Sequence, residues 1–258
     1  MISAIVLAKN ESEKIETCIR SLAWCTEVIL ADDASSDQTV AIAKSLGTRV
    51  VRLPALSSFS DKRNFALRYT KYPWVIYLDA DEIVTSALAQ KILTTISTSD
   101  VDGLTLKRDD YVWGKKLRFG ETGALKFLRV GKKDKGEWEH EVHENWRIKG
   151  NITHINDEAI EHRPHQDTSS FLSMINDYTQ RAAEERMPYL RKKTYGKLII
   201  LVQLLLYPSA KFINNYIFRL GFLDGTRGLF HAYLMALYSF VLRVKLWEGL
   251  NAVPQSNS

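Results

Sequence analysis

The sequence predicts an α/β fold, in which a mostly parallel sheet is flanked by helices and followed by an apolar helical segment. Three observations predict it. Apolar runs of strand length alternate with helical stretches through the first hundred residues. Carboxylates follow directly after several of these runs, and basic and strongly apolar residues concentrate in the last third of the chain. Strands that are apolar throughout indicate a parallel sheet covered on both faces.

The first hundred residues predict strands and helices in strict alternation. In chain order these elements lie at 2–8, 10–22, 27–31, 35–47, 49–53, 60–71, 74–78 and 86–97. Ile15 and Ile19 begin an apolar stripe at helical spacing. Asn10 and Glu13 fit an N-cap with its capping-box partner, and Gly47 is a helix stop.

Beyond residue 103 the pattern changes. Short alternating segments predict antiparallel strands or edge hairpins up to about residue 165. From about residue 168 the chain is helical and strongly apolar. Because Pro208 and several glycines interrupt the apolar stretches, we expect neither to reach the roughly 20 residues that cross a bilayer comfortably.

Composition and charge limit the class of protein. The chain has 45% hydrophobic and 25% charged residues, as folded soluble proteins do. Cys18 and Cys25 belong to no cluster with metal-site spacing, which favours a reduced, cytosolic setting, and the N-terminus lacks the basic start of a signal peptide. Residues 1–165 contain 24 Lys+Arg and 24 Asp+Glu, whereas residues 166–258 contain 11 and 6. A segment that is both basic and apolar favours a membrane surface over nucleic acid.

Polar side chains gather where the predicted strands end. They are Glu11 after the first strand, Asp32 and Asp33 after the second, and Asp79, Asp81 and Glu82 in "VIYLDADE" after the fourth. In an open parallel sheet, ligands bind beyond the carboxyl ends of the strands. Each residue alone is equally explained as a turn or cap residue. Their convergence favours a nucleotide site in which the D-x-D pair holds Mg²⁺ or Mn²⁺ against a diphosphate.

Several motifs are missing from the sequence. It contains no G-x-x-x-x-G-K-[ST], no G-x-G-x-x-G after the first strand and no G-x-S-x-G. These absences argue against a P-loop ATPase, a dinucleotide-binding site and a serine hydrolase. A nucleotide bound largely by carboxylates remains.

The stretches that carry these features resemble a known family. "AIVLAKNESEKIETCIRSL", "EVILADDASSDQTVAIAK", "SDKRNFAL" and "WVIYLDADE" resemble the N-terminal half of inverting family 2 glycosyltransferases, which have the Rossmann-like GT-A fold. "VHE" at 142–144 and the segment 221–248 resemble the lipopolysaccharide core β-1,4-glucosyltransferase branch. The resemblance implies a UDP-sugar donor, glucose above all, and a glycolipid acceptor such as the lipopolysaccharide inner core. It also implies a divalent cation, Mg²⁺ or Mn²⁺, and a peripheral place on the cytoplasmic face of a bacterial inner membrane.

The resemblance also implies roles for single residues. Nucleotide-sugar binding falls to Ala8, Glu11, Asp32, Asp33, Lys62, Arg63 and Asp79. Metal binding falls to Asp81, with Asp79 and His143 as further ligands. The family's usual Glu-Asp pair is not evident, so the catalytic base is Glu144 or, as second choice, Glu141. Lys62 and Arg63 are equally explained as an exposed helix start. A solvated hairpin is the less favoured explanation of the run 137–144, and Glu82 is expected to be structural.

These expectations divide the chain into three parts. Residues 1–100 form the nucleotide-sugar-binding half of an α/β domain, 101–165 form its acceptor-side and catalytic half, and 166–258 form a helical region that associates with a membrane. There the side chains expected at lipid headgroups are Arg191, Lys192, Lys193 and Lys197. The less favoured alternative is that the apolar helices complete a core. Rival functions are a polyprenyl-phosphate sugar transferase, a phosphohydrolase with Asp79 as nucleophile, and a membrane-associated nucleotide-binding protein without transferase activity.

Overall fold

A computed structural model describes residues 1–56, 58–123, 125–139, 145–165, 167–193 and 195–251. The helices and strands are, in chain order, β1 (Ile2–Ala8), α1 (Ile15–Ser21), β2 (Glu27–Asp32), α2 (Thr39–Ser45), β3 (Arg49–Arg52), α3 (Phe59–Leu67), β4 (Trp74–Asp79), β5 (Glu82–Val84), α4 (Ser86–Thr98), β6 (Gly103–Val112), β7 (Lys115–Lys116), β8 (Lys126–Lys132), β9 (Gly136–Glu139), β10 (Asn145–Ile148), β11 (Ile152–His165), α5 (Thr168–Arg191), α6 (Gly196–Ile213) and α7 (Gly225–Asn251). They form two compact units, Met1–Asp110 with Leu125–Pro164 and Tyr111–Ala124 with His165–Ser258.

The main sheet has the order β3-β2-β1-β4-β8-β6-β11-β5. The first four of these strands pair in parallel. β8 is antiparallel to both β4 and β6, and β5 is antiparallel to β11. The predicted α/β sheet with flanking helices is therefore confirmed. The sheet as a whole is mixed, because the strands after residue 103 are antiparallel, as their alternating pattern predicts.

Both faces of the parallel part are covered, which explains why its strands are apolar throughout. Along β1, Ala4 and Val6 face the core that includes residues of α1, α2 and α4. Ile5 faces a second core with Ala66 of α3 and the indole of Trp138. Successive side chains of a strand point to opposite faces, so each face needs its own apolar set.

One predicted helix start is wrong and one predicted stop is confirmed. α1 begins only at Ile15, its N-cap is Lys14, and no side chain caps it. Asn10 has a left-handed backbone (φ +56°), and its Oδ1 accepts a hydrogen bond from Ser36 N at 2.8 Å. The same residue type suits a cap or a loop, and here it ties two loops together. Gly47 ends α2 with φ +74°, a conformation that suits glycine.

The C-terminal helices are longer than the sequence leads us to expect. α6 runs past Pro208 into a π-helical turn, so that an apolar segment of 23 residues spans Gly196–Phe218, and a second of 31 residues spans Gly221–Asn251. The expectation that neither reaches bilayer length is therefore wrong. Proline is tolerated in such helices when the freed backbone groups adjust locally. By length and composition alone both segments could cross a membrane.

The second unit has its own small core. It contains Ala183 and Leu190 of α5, Ile200 of α6, and Leu242 and Leu246 of α7. Much of α6 remains outside that core, and its exposed apolar side chains are Leu198, Leu201, Val202, Leu205, Leu206 and Tyr207.

Candidate active site

The register of the parallel strands brings the predicted polar residues to one edge. Ala8 of β1 pairs with Asp32 of β2, and Leu7 pairs with Asp79 of β4. The segments that carry Glu11, Asp33 and Asp81 therefore leave the sheet at the same edge, where open α/β sheets bind ligands. The three strand ends follow from the sequence because each apolar run stops where its carboxylates begin.

The loops after β1 and β2 are joined by a polar network. Glu11 N donates to Thr39 Oγ1 at 2.8 Å, and Ser12 N donates to Asp37 Oδ2 at 3.0 Å. Asp37 also accepts from Thr39 N at 2.9 Å. Burial raises the pKa of Glu11, although Lys14 lies 3.1 Å from its carboxylate and acts in the opposite direction. The network holds the Glu11 loop against the start of α2.

Asp32 and Asp33 have different environments. Asp32 is 2% exposed, and its Oδ1 accepts a hydrogen bond from Ser35 N at 3.2 Å, which stabilises the turn after β2. Asp33 is partly exposed, and its Oδ2 lies 2.7 Å from Lys62 Nζ. Of the two, Asp33 therefore presents its carboxylate to the edge of the sheet, and this carboxylate is paired with Lys62.

Asp79 is held between two arginines. Its Oδ1 accepts from Arg63 Nη2 and its Oδ2 accepts from Arg129 Nη2, both at 2.9 Å. Burial of Asp79 acts to raise its pKa, but the two guanidinium groups outweigh it and hold the pKa well below the usual range. The Arg63 guanidinium also lies 4.5 Å from the centre of the Trp138 ring. Asp79 thus positions two cations with both of its oxygens.

Glu82 supports the same arrangement from below. It is fully buried, its Oε2 accepts from Asp79 N at 3.1 Å, and its Oε1 accepts from Arg129 Nη2 at 2.7 Å. Burial raises the pKa of Glu82 despite the neighbouring guanidinium. Glu82 has no access to solvent and bonds to the backbone of the turn, so its role is structural.

Asp81 faces His162, which the sequence analysis did not single out. Asp81 Oδ2 lies 3.5 Å from His162 Nε2, and His162 Nδ1 contacts the Asp110 carboxylate. Burial would lower the pKa of His162, but its hydrogen bonds to Asp110 and Asp81 raise it to about 9. Burial would raise the pKa of Asp81, and the bond and charge of His162 lower it.

The chemistry of this donor set fits a divalent cation. Metal-bound histidines commonly donate their second ring N–H to a carboxylate, as His162 does to Asp110. Mg²⁺ is commonly held by one or two carboxylates together with substrate phosphates. Within the described residues no group of three or more His, Cys, Asp or Glu side chains forms a complete site. Asp81 and His162 would therefore hold such a cation only together with ligands from a substrate.

The segment that carries the predicted base starts beside α3. Asn64 exchanges two hydrogen bonds with the backbone of Trp138, both of 2.9 Å, and Ser60 Oγ donates to Glu139 O at 3.1 Å. β9 therefore ends next to the helix that carries Lys62 and Arg63. Glu141, His143 and Glu144 lie outside the described residues.

Sequence reasoning missed three residues of the site, namely Arg129, His162 and Asp110. Arg129 lies in the stretch "ALKFLRV", where a cation between apolar residues was a signal that could have been used. His162 and Asp110 lie on antiparallel strands, where no motif marks them. The structure brings all three to the D-x-D turn.

The chain resembles several known proteins. A lipopolysaccharide core biosynthesis glycosyltransferase, LpsC of Rhizobium meliloti (strain 1021), is 26% identical over 257 residues, which cover 96% of this chain and 92% of that protein. An uncharacterized glycosyltransferase of Rickettsia bellii is 37% identical over 102 residues, 39% of this chain and 34% of that protein.

Solved structures of glucosyl-3-phosphoglycerate synthase from Mycobacterium tuberculosis are also similar. One, in complex with Mn²⁺, UDP and glucosyl-3-phosphoglycerate, is 25% identical with a TM-score of 0.38 and covers 43% of this chain and 44% of that chain. Another, with Mn²⁺, UDP and phosphoglyceric acid, is 18% identical with a TM-score of 0.45 and covers 64% and 71%.

The family model of glycosyl transferase family 2 matches residues 3–163. That stretch is more than half of the chain, and it includes the three strand ends, both arginines that hold Asp79, and His162. The chain therefore belongs to glycosyl transferase family 2.

Proposed function

We propose that the protein is a metal-dependent, inverting glycosyltransferase that moves glucose from UDP-glucose to a glycolipid acceptor, the lipopolysaccharide inner core. The observation that carries the proposal is the single sheet edge at which Glu11, Asp33 and Asp81 leave the sheet and Asp79 holds Arg63 and Arg129. Because the chain is a family 2 glycosyltransferase, we assign the hydrogen-bond acceptors at this edge to a nucleoside and the cationic side chains to a diphosphate.

The nucleoside side of the site uses the loops after β1 and β2. Asp33 accepts from uracil N–H, so that Lys62 exchanges its present carboxylate partner for the diphosphate. Ala8 and Glu11 border the nucleoside, and Asp32 keeps the turn that presents Asp33. Asp79 lies at the ribose and directs Arg63 and Arg129. Because both its oxygens bond arginines, we assign it this role rather than metal binding.

Asp81 and His162 are the described residues that would hold Mg²⁺ or Mn²⁺, with His143 as a further candidate. A divalent cation there supplies stabilisation of the negative charge that develops on the leaving diphosphate. Arg63 and Arg129 add fixed positive charge at the same edge, and burial keeps them in place without reorganisation.

The transfer itself needs one base. The oxygen of an acceptor hydroxyl attacks the anomeric carbon on the face opposite UDP, the bond from that carbon to UDP breaks, and the base takes the hydroxyl proton. We propose Glu144 for this role and Glu141 as second choice. The support from the described residues is that β9 ends at α3, beside Lys62 and Arg63.

The acceptor is inferred from likeness and surface chemistry. The likeness to LpsC extends over 96% of this chain and 92% of that protein. Two long apolar helical segments suit a lipid-linked acceptor. Arg191, Lys192, Lys193 and Lys197, all exposed, would lie at anionic headgroups on the cytoplasmic face, where each basic residue contributes about 1 kcal/mol.

A ligand panel tests the proposal. UDP-glucose, UDP-galactose, UDP-N-acetylglucosamine and GDP-mannose are each added with and without Mn²⁺ while the melting temperature is measured, because a ligand that binds only the native state stabilises it. We expect the largest rise with UDP-glucose and Mn²⁺. Asp81→Ala should lose the part of the rise in melting temperature that depends on Mn²⁺, and it should lose transferase activity. The surface control Asp157→Ala should keep the full rise and the activity. No stabilisation by any nucleotide sugar would contradict the proposal.

Polyprenyl-phosphate sugar transfer is a second candidate, favoured by the same two apolar segments. Its acceptor is already an anionic phosphate, so it needs no base. Glu144→Gln and Glu141→Gln distinguish the two functions. A loss of rate by orders of magnitude in one of them, with unchanged UDP-glucose binding, supports a hydroxyl acceptor. Unchanged rates in both variants support the phosphate acceptor.

A further inference from the structure

The second unit contains a cationic pocket of about 360 Å³. Its charged lining consists of four basic side chains, Lys115, Lys116, Arg118 and Arg227, and one carboxylate, Asp224. The first three follow the turn after β6, and Arg227 lies in the first turn of α7. The pocket is therefore built from two separate stretches of one unit.

The hairpin of β6 and β7 is held firmly against the start of α7. Its turn is formed by Trp113 and Gly114 with φ +47° and +74°, as tight two-residue hairpins require. The Trp113 ring meets Phe230 edge-on, with centroids 5.9 Å apart, and its carbonyl accepts from Arg227 Nη2 at 3.5 Å. The cationic side chains thus project from a defined scaffold.

Asp224 offsets one of the four positive charges of the pocket, and backbone donors hold its carboxylate in place. Its carboxylate accepts from the backbone N–H groups of Arg118 and Phe119, each at 3.0 Å. Arg227 Nε is buried and has no hydrogen-bond partner among the described residues. An unpaired buried donor is costly. The start of α7 adds the positive end of a 27-residue helix. The basic side chains and this helix start therefore give the pocket the positive charge that attracts an oxyanion.

The surface beside the pocket is apolar and exposed. Between the end of α6 and the start of α7, Phe218 is 76% exposed and Leu223, which itself lines the pocket, is 55% exposed. Leu220, Phe222 and Phe230 are also exposed. A soluble phosphate would need the cations alone. An anionic group on a lipid needs both cations and apolar side chains, and membrane-surface sites combine the two.

We propose that this pocket binds the phosphate of an anionic lipid headgroup, while Phe218, Leu220 and Leu223 enter the acyl boundary. The site is additional to the basic residues 191–197, and it does not depend on transferase activity. Lys115, Arg118 and Arg227 supply charge-assisted hydrogen bonds, of the kind by which guanidinium groups recognise phosphate.

Flotation with vesicles tests the site on the full chain. Vesicles of phosphatidylcholine alone are compared with vesicles that also contain phosphatidylglycerol. The pocket variant Lys115→Ser/Arg118→Ser/Arg227→Ser should bind the anionic vesicles about 100-fold more weakly, since each basic residue near such a surface contributes about a factor of five. The control Lys44→Ser/Arg52→Ser/Lys71→Ser has the same change of charge on exposed residues of the first unit and should bind like the wild type. Equal binding by the two variants would overturn the proposal.

Two further measurements control for unfolding of the triple variant and distinguish a lipid phosphate from a soluble phosphate. Leu223→Ser leaves every cation in place and should still weaken anionic vesicle binding severalfold, so the proposal stays testable even if the triple variant unfolds. Wild-type binding by Leu223→Ser would count against a lipid. Inorganic phosphate should not compete with the vesicles. Competition by inorganic phosphate, together with unchanged vesicle binding by Leu223→Ser, would show a soluble ligand instead.

Discussion

Arg129 Nη2 donates to Glu82 Oε1 over 2.7 Å, although Glu82 is fully buried and Arg129 is only 5% exposed. The same nitrogen donates to Asp79. One guanidinium therefore balances two carboxylates beneath the turn that carries Asp81. The D-x-D turn is therefore built over a buried ion network.

Removal of Arg129 should lower the free energy of unfolding more than removal of the charge of Glu82. Arg129→Met leaves the buried Glu82 carboxylate without its nearest cation and leaves Asp79 with Arg63 alone, and we expect a loss of about 3–5 kcal/mol in the free energy of unfolding. Glu82→Gln keeps Arg129 paired with Asp79 and should cost about 1–3 kcal/mol. Urea unfolding at neutral pH measures both. The exposed control Arg20→Met should change stability by no more than about 0.5 kcal/mol. Equal losses in the two buried variants would mean that the network is not shared.

Asp110 should tune metal affinity through His162. Asp110→Asn keeps the shape of the side chain but weakens the orientation of the imidazole, and we expect affinity for Mn²⁺ in the presence of UDP to fall about 10- to 100-fold. Titration of Mn²⁺ against the melting temperature gives the affinity. The control is His154→Ala, an exposed histidine on the same strand as His162. Unchanged affinity in Asp110→Asn, with a loss in His154→Ala, would move the metal away from His162.

The network at Asp37 gives a pH-dependent contribution to stability. Desolvation acts to raise the pKa of Asp37, but hydrogen bonds from Thr39 and Ser12 outweigh it and lower the pKa from 3.8 to about 2. Because the folded pKa is the lower one, this stability is present above pH 3.8 and is lost as the pH falls through 2. The difference in unfolding midpoint between wild type and Asp37→Asn should therefore be constant near neutral pH, and shrink between pH 3.8 and 2. A pH-independent difference for Asp37→Asn would refute the linkage.

Gly136 should be intolerant of any side chain. A Cβ there would lie 2.3 Å from Trp146 Nε1 and 2.7 Å from Trp146 Cε2, so alanine would push β9 and β10 apart. Since β9 leads to the segment of the proposed base, we expect Gly136→Ala to lower kcat more than it weakens UDP-glucose binding. Glu137→Ala, an exposed neighbour on β9, is the matched control. Equal kcat values for the two variants would show that the position of β9 has no effect on transfer.

The strands and helices before residue 100 could be predicted because burial on both faces leaves an unbroken apolar run. β1, β2 and β4 match their predicted starts for that reason. The start of α1 could not be predicted, since Asn10 and Glu13 have the composition of a capping box, yet Asn10 bonds a loop 26 residues away. Local patterns do not encode contacts of that separation.

The site was predictable only where it lies on strand ends. Asp33 and Asp81 follow apolar runs directly, so their convergence follows from parallel pairing. Arg129 and His162 reach Asp79 and Asp81 from 50 and 81 positions further along the chain, through antiparallel pairings that no motif marks. The lengths of the C-terminal helices could not be predicted, because the sequence does not show whether a helix ends at a proline or continues past it. Here the helix continues past Pro208.

Trp138 and Trp146 lie face to face, 6.1 Å apart and within 4° of parallel, and both meet the Tyr77 ring edge-on. The Arg63 guanidinium lies over the Trp138 ring. Aromatic rings so close couple their electronic transitions, and a cation on one of them alters its emission. When a diphosphate binds beside Arg63, the near-ultraviolet circular dichroism and the fluorescence of the protein should change together. The protein therefore contains an optical reporter of donor binding that needs no label.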